Sequence, residues 1–192
     1  RPNQKFIESP LPMTRPNQNP PDNYLALRQQ LYAHYADYDP NETVLRQCWS
    51  FFLNQPDCTW YDGSHFCCGL YRMENDQWAF GFFESKSQDF DAFQSEWSEL
   101  RLAFPGSWVG PLQGSTFLPY RFITWSDDQA LFPGEWRNQA HYGLWMEQLQ
   151  PSKITHYRSA YRTDFQGVIA ISESFLTDWN TEGFNLTPFR MD

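Results

Sequence analysis

Trp78-Ala79-Phe80-Gly81-Phe82-Phe83-Glu84 is the stretch on which the reading of this chain turns. Its aromatic content and its polar borders give it the composition of a strand. The polar break Ser85-Lys86-Ser87-Gln88-Asp89 follows, and then an amphipathic helix from about Phe90 to Phe104. In that helix Phe90, Phe93, Trp97, Leu100 and Phe104 recur at spacings of three and four, and Asp91, Gln94, Glu96 and Glu99 form the polar face. Pro105-Gly106 ends it, a short apolar strand runs from Ser107 to Val109, and a turn-rich stretch follows from Gly110 to Ser115. A strand that ends in a polar loop at a helix N-terminus is a place where phosphates bind, because free N–H groups and the helix dipole converge there.

Upstream of this stretch the pattern is a β-meander. Cys58 to Tyr61 is a strand, Asp62-Gly63 reads as a type I′ hairpin turn, His65 to Met73 is a second strand, and Gln77 to Phe83 is the third. Two helices precede it. Asp22 caps one that runs to about Asp37, with Leu25, Leu27, Leu31, Tyr32 and Tyr35 on its apolar side. Asn41 caps another that runs to about Asn54, with Val44, Leu45, Cys48, Trp49, Phe51 and Phe52 apolar. Residues 1–21 carry six prolines and nearly repeat themselves, Arg1-Pro2-Asn3-Gln4 returning as Arg15-Pro16-Asn17-Gln18. Such a segment is either a mobile arm or an extended strap on the domain.

Downstream, 110–132 is irregular and aromatic, with a short strand at Tyr120 to Trp125. A helix spans about Glu135 to Leu149, a long strand Lys153 to Phe165, and a last helix Glu173 to Asn180. The order α-α-β-β-β-α-β-α-β predicts an α/β or α+β sheet with helices on both faces.

Composition narrows the function. At 192 residues the chain suits one domain. Nine Trp, ten Tyr and seventeen Phe point to an aromatic-packed core with some polar tips at its edge. A net charge of −9 argues against non-specific nucleic-acid binding and anionic membrane surfaces, both of which need a basic footprint. No apolar run has the length of a membrane span and no signal-peptide pattern is present, so a cytoplasmic protein is expected. Cys48, Cys58, Cys67 and Cys68 lack zinc or redox spacing and are expected as reduced, mostly buried thiols, with a Cys48–Cys58 disulfide as the alternative. Asp127 and Asp128 have no further ligands at metal spacing, and His65 and His156 belong to no nucleophile set, so no metal site is expected.

The element order resembles that of the GNAT acyltransferase superfamily from about Asp22 to Phe165. Gly81-Phe82-Phe83-Glu84 leading into the helix of Trp97 carries the likeness, as do the Gly110-Pro111-Leu112 turn with Ser115 and Thr116, and the helix of Asn138-Gln139-Ala140-His141-Tyr142. Leu186-Thr187-Pro188-Phe189-Arg190 looks like the segment that opens a GNAT first strand. The resemblance implies a mixed, mainly antiparallel central sheet flanked by helices. It implies an extended arm at 1–21, the acyltransferase-like domain at 22–170, and a helix and tail at 171–192 that open a further domain.

The same resemblance implies a CoA-dependent N-acyltransferase that moves an acyl group from acetyl-CoA or another acyl-CoA to the amine of a small molecule or peptide. Phe82, Phe83, Ser85, Lys86 and Ser87 would then contact the cofactor, Glu84 would serve as the base, and Tyr142 as the acid that protonates the leaving thiolate. Against this, the slot where GNAT enzymes carry a glycine-rich pyrophosphate loop reads Glu84-Ser85-Lys86-Ser87-Gln88-Asp89, with no glycine and two carboxylates. Asp89 there equally reads as a helix cap that occupies the donors a phosphate needs. The competing expectation is therefore a GNAT-like domain without catalysis that works as a binding or interaction module, packing on a second domain or on another copy of itself. A gap between the strand ending near Phe83 and the strand Ser107 to Val109 favours the enzyme if open, and the module if side chains fill it.

Overall fold

The computed structural model describes residues 11–73, 76–114, 118, 121–124 and 136–156. The chain divides into a unit spanning Arg1–Ser152 and a second spanning Lys153–Asp192. In the second unit residues 153–156 form neither helix nor strand. The remainder of the strand expected to Phe165, the helix expected from Glu173 and the tail lie outside the described residues.

The first unit holds, in order, β1 (Met13–Thr14), α1 (Asp22–Tyr32), α2 (Thr43–Leu53), β2 (Thr59–Asp62), β3 (Phe66–Arg72), β4 (Trp78–Ser85), α3 (Phe90–Ala103), β5 (Trp108–Val109) and α4 (His141–Gln148). The strands form one sheet in the order β1-β2-β3-β4-β5. The first three pairings are antiparallel and the last, β4 with β5, is parallel. This is an α/β fold with a mixed, mostly antiparallel five-stranded sheet and, among the described residues, four helices.

Strand alternation sorts the core onto two faces. Trp60, Cys67, Tyr71, Ala79 and Phe82 point to the face covered by α1 and α2, where Tyr24, Leu45, Cys48, Trp49 and Phe52 meet them. Tyr61, Phe66, Cys68, Leu70, Phe80 and Phe83 point to the other face and pack on Phe93, Trp97 and Leu100 of α3 and on Tyr142 and Trp145 of α4. Cys67 and Cys68 thus face opposite ways, and all four cysteines are free thiols. The aromatic packing is dense: the ring of Phe83 lies edge-on to those of Phe93, Trp97, Phe122 and Tyr142.

Several boundaries differ from the sequence reading for local reasons. Residues 11–18 are a strap: Met13 and Thr14 pair with Tyr61 and Trp60, and the Trp49 indole N–H donates to the Asn17 carbonyl at 3.0 Å. The first helix stops at Tyr32, five residues early, and Tyr35 and Tyr38 continue it only as i to i+3 turns. Asn41 does not cap α2. Asp39 does, accepting the N–H groups of Asn41 and Thr43 at 2.8 and 2.7 Å, while Glu42 sits at φ 49°. In the hairpin, Asp62 stays in β2 paired with Cys67, and the turn is closed by the Gly63 N–H on the Phe66 carbonyl. Neither Asp62 nor Gly63 has the positive φ of a type I′ turn. The fourth helix starts at His141, six residues late, and residues 121–124 form no strand.

One irregularity in β4 matters more than the rest. Cys67 pairs with Glu84, yet Gly69 pairs with Gly81, so β4 spends one extra residue opposite Cys68. Phe82 sits there at φ 53°. A left-handed non-glycine residue costs about 1–2 kcal/mol. Full burial of the Phe82 ring among Trp49, Phe52 and Trp136 contributes about 1.5–3 kcal/mol and offsets it. The bulge reverses the alternation, so Glu84, which would otherwise share a face with Phe80, turns to the α1 face.

Candidate functional site

Glu84 is fully buried, and its carboxylate is held by three side chains from two helices. Arg28 of α1 donates through Nη1 to Oε1. The Tyr32 hydroxyl, one turn further along α1, donates to Oε2 at 2.7 Å. The Tyr142 hydroxyl of α4 donates to the same oxygen at 2.9 Å. Arg28 also donates through Nε to Glu42 at 2.9 Å, and its guanidinium lies 4.4 Å from the Trp136 ring centroid and 4.9 Å from that of Tyr32. The centre is thus a buried arginine between two carboxylates, walled by aromatic rings.

Burial pushes the Glu84 carboxyl above its ordinary range, against the opposing pull of Arg28, Tyr32 and Tyr142. Burial also raises the Tyr142 and Tyr32 hydroxyls, and the adjacent Glu84 charge raises them further. A phenol so placed is a hydrogen-bond donor at neutral pH and a poor source of protons.

The outer edge of β4, which faces away from β3, is the second part of the site. β5 covers only its start, pairing at Trp78 and Ala79. Beyond that the chain turns through the cis Gly110–Pro111 peptide, and the Leu112 N–H donates to the Phe80 carbonyl at 2.7 Å. The Phe82 N–H, on the same edge as those of Trp78 and Phe80 by strand alternation, donates to the Gln113 side-chain oxygen at 2.5 Å. The Ser85 N–H donates to the Tyr142 hydroxyl at 2.8 Å. Glycine is required at 81, where a Cβ would lie 2.0 Å from the Leu112 carbonyl oxygen. Where β4 and β5 part, the gap is therefore filled by Leu112, Gln113 and Tyr142, which are buried to within 6% of full burial.

The loop after β4 is equally self-contained. The Lys86 N–H donates to the His65 carbonyl at 2.7 Å, and its ammonium holds Asp62 Oδ1 and the Gly63 carbonyl, both at 2.6 Å. The Ser85 hydroxyl donates to the Ser87 carbonyl and accepts the Ser87 N–H. Asp89 caps α3 by accepting the Ala92 N–H at 3.1 Å. His65 lies in this loop region rather than on a strand, its Nδ1 3.5 Å from the Ser87 hydroxyl.

Of the residues singled out from sequence, Glu84 and Tyr142 are brought into direct contact, and Ser85 joins them through its N–H. Phe83 is a core ring, and Phe82 offers only its backbone. Lys86 and Ser87 lie on the loop, committed to partners in the hairpin. Arg28, Tyr32, Glu42, Gln113 and Trp136 were not anticipated. A signal existed for two of them: Tyr24, Arg28 and Tyr32 follow one another at four-residue spacing and form the buried stripe of α1, whereas Leu25, Leu27 and Leu31 are only half-buried. No His, Cys, Asp or Glu cluster able to hold a metal occurs among the described residues. None of their helices is long and apolar enough to cross a membrane.

No known family model, curated protein or solved structure matches this chain.

Proposed function

We propose that this chain is a GNAT-like domain that does not transfer acyl groups and works as a binding module for a partner of neutral or positive charge. The observation that carries this reading is the outer edge of β4. The N–H groups of Phe82 and Ser85, which an extended acyl-CoA would need, already donate to Gln113 and Tyr142 of the same chain. An incoming cofactor would have to break both bonds and displace buried side chains, and each unpaired buried N–H costs about 1–3 kcal/mol. In the loop where a pyrophosphate would sit, Lys86 gives its N–H to His65 and two ammonium hydrogens to Asp62 and Gly63. The net charge of −9 sets the sign of the partner, because complementary charge speeds encounter and rejects like-charged surfaces.

Acyl transfer from acetyl-CoA or another acyl-CoA to an amine is the second reading. The direct contact of Tyr142 with Glu84 beside a bulged strand favours it. In that mechanism the Phe82 N–H would receive the acyl oxygen, and Tyr142 would protonate the thiolate once Gln113 and Tyr142 had left the strand edge.

Calorimetry with acetyl-CoA separates the two. The module reading expects no heat of binding at about millimolar cofactor, a threshold that corresponds to about −4 kcal/mol. Micromolar binding that Lys86→Glu weakens would overturn it in favour of the enzyme.

A further inference from the structure

A single arginine answers two carboxylates where α1, β4 and α4 meet. Arg28 donates through Nη1 to Glu84 and through Nε to Glu42 at 2.9 Å. With both carboxyls ionised, the three side chains hold one more negative than positive charge. That excess lies away from water: the Glu84 side chain is 0% exposed, those of Arg28 and Glu42 5% and 10%. A buried charge without a counter-charge is costly, and a titratable group relieves the cost by changing its protonation. Arginine does not give up its proton in a protein, so relief means a proton added to a carboxyl. Glu84, the more deeply buried of the two, is the one that gains most from it.

The groups packed on Glu84 leave that balance in place. From α1 come Arg28, Tyr32 and Tyr24, whose hydroxyl also feels the Glu84 charge. Glu42, just before α2, acts through Arg28. From β3 the Cys67 thiol donates to the Glu84 carbonyl at 3.7 Å. From α4 comes Tyr142, with the His141 imidazole edge-on to its ring. Lys86, two residues along the chain, has its ammonium on Asp62 and Gly63. Burial pushes the Glu84 carboxyl in the same upward direction as the charge count.

The centre also has a place for the proton. Oε1 is held by Arg28, and Oε2 accepts from Tyr32 at 2.7 Å and from Tyr142 at 2.9 Å. The two phenol oxygens lie within hydrogen-bond reach of each other. A proton on Oε2 therefore closes a ring of three oxygens. The acid O–H donates to one phenol, that phenol donates to the other, and the other keeps its bond to Glu84. A phenol oxygen has two acceptor positions, so Tyr142 retains the Ser85 N–H in either sense of the ring.

We propose that the folded chain takes up a proton at Glu84 at mildly acidic pH, and that one of the two tyrosine hydroxyls turns from donor to acceptor as it does so. The junction of α1, β4 and α4 is thereby a pH-responsive device, neutral in its protonated form and strained by excess charge in its ionised form. This holds whether or not the chain transfers acyl groups.

The test follows the Glu84 side-chain carboxyl carbon by NMR in the full, isotopically labelled chain between about pH 8 and 4.5, assigned by through-bond correlation to its own amide. A midpoint at least about one pH unit above the ordinary glutamate value of about 4.3 is expected. A carbon that stays in its ionised position throughout overturns the proposal. Glu42→Gln removes the excess negative charge at nearly constant shape and should lower the midpoint by about one pH unit. An unchanged midpoint in that variant also overturns the proposal, because the proton would not then answer the excess charge. If Glu42→Gln does not fold, the titration of the unsubstituted chain still decides. The Ser85 amide should keep its protection from hydrogen exchange across the midpoint, and its loss would overturn the closed ring by showing that Tyr142 leaves the strand.

Discussion

Tyr142 stands between Glu84 and Ser85 as donor to one and acceptor from the other: its hydroxyl donates a hydrogen bond to the carboxylate at 2.9 Å and accepts one from the Ser85 N–H at 2.8 Å. One phenol oxygen thus ties α4 to the end of β4 and satisfies two buried groups at once. Tyr142→Phe keeps the ring but orphans the Ser85 N–H and removes one donor from Glu84. A loss of about 1–3 kcal/mol in urea unfolding is expected. A loss below about 0.5 kcal/mol, the level of a neutral surface change, would mean that the hydroxyl is not a structural tie.

Arg28 presents a sharper case because it serves two carboxylates. Arg28→Met leaves Glu84 buried without its counter-charge, and about 3–5 kcal/mol of stability should be lost. Adding Glu84→Gln removes the stranded charge, so the double variant should be more stable than Arg28→Met alone. A double-mutant cycle in guanidinium measures this coupling, and simple additivity would contradict it.

Asp39 predicts an acid limb. Its carboxyl is lowered from the ordinary value by the Thr43 side chain and the N–H groups of Thr43 and Asn41. A carboxyl lowered in the folded state contributes stability that is present above its unfolded pKa and is lost as pH falls through the folded one. Asp39→Asn should therefore flatten the fall in melting temperature below about pH 4. An unchanged acid limb would exclude Asp39 as the α2 cap.

His141 acts at higher pH. Burial lowers its imidazole from the ordinary value, and its Nε2 has no partner among the described residues, with Tyr142 and Trp145 against the ring. The unfolded chain therefore binds a proton that the folded chain refuses, and stability drops as pH falls from about 6.5 toward the folded pKa. His141→Phe should remove that dependence. Melting curves between about pH 5 and 7.5 test it, and a slope that persists in the variant would place the titrating group elsewhere.

The parts of the fold governed by short-range pattern were legible. The α3 stripe of Phe93, Trp97 and Leu100 is buried as its spacing implies, and the three-strand meander lies where turn residues bound it. The contact between Glu84 and Tyr142 is a different matter. It depends on a bulge, and nothing in Gly81-Phe82-Phe83 announces that Phe82 adopts a positive φ. Arg28 was hidden because a charged residue in a buried stripe reads as a break in the apolar face, until the two carboxylates that neutralise it are known. Gln113 was invisible for a different reason: its partner is a backbone N–H on the strand edge that β5 is too short to cover.

The bulge also makes the length of β4 a coded quantity. Substitutions along the strand alter what is packed, but ironing out the bulge at unchanged length would change the parity of everything after Gly81. Phe83 would then be aimed at Arg28, and Glu84 would be driven among Phe66, Phe93 and Trp97, a carboxylate in an aromatic core with its counter-charge on the far side of the sheet. Chains that share this architecture should accordingly tolerate insertions in the hairpin around Ser64 and shorten β4 by one residue only where the bulge is lost with it, because Gly81 followed directly by Phe83 leaves Glu84 opposite Cys67.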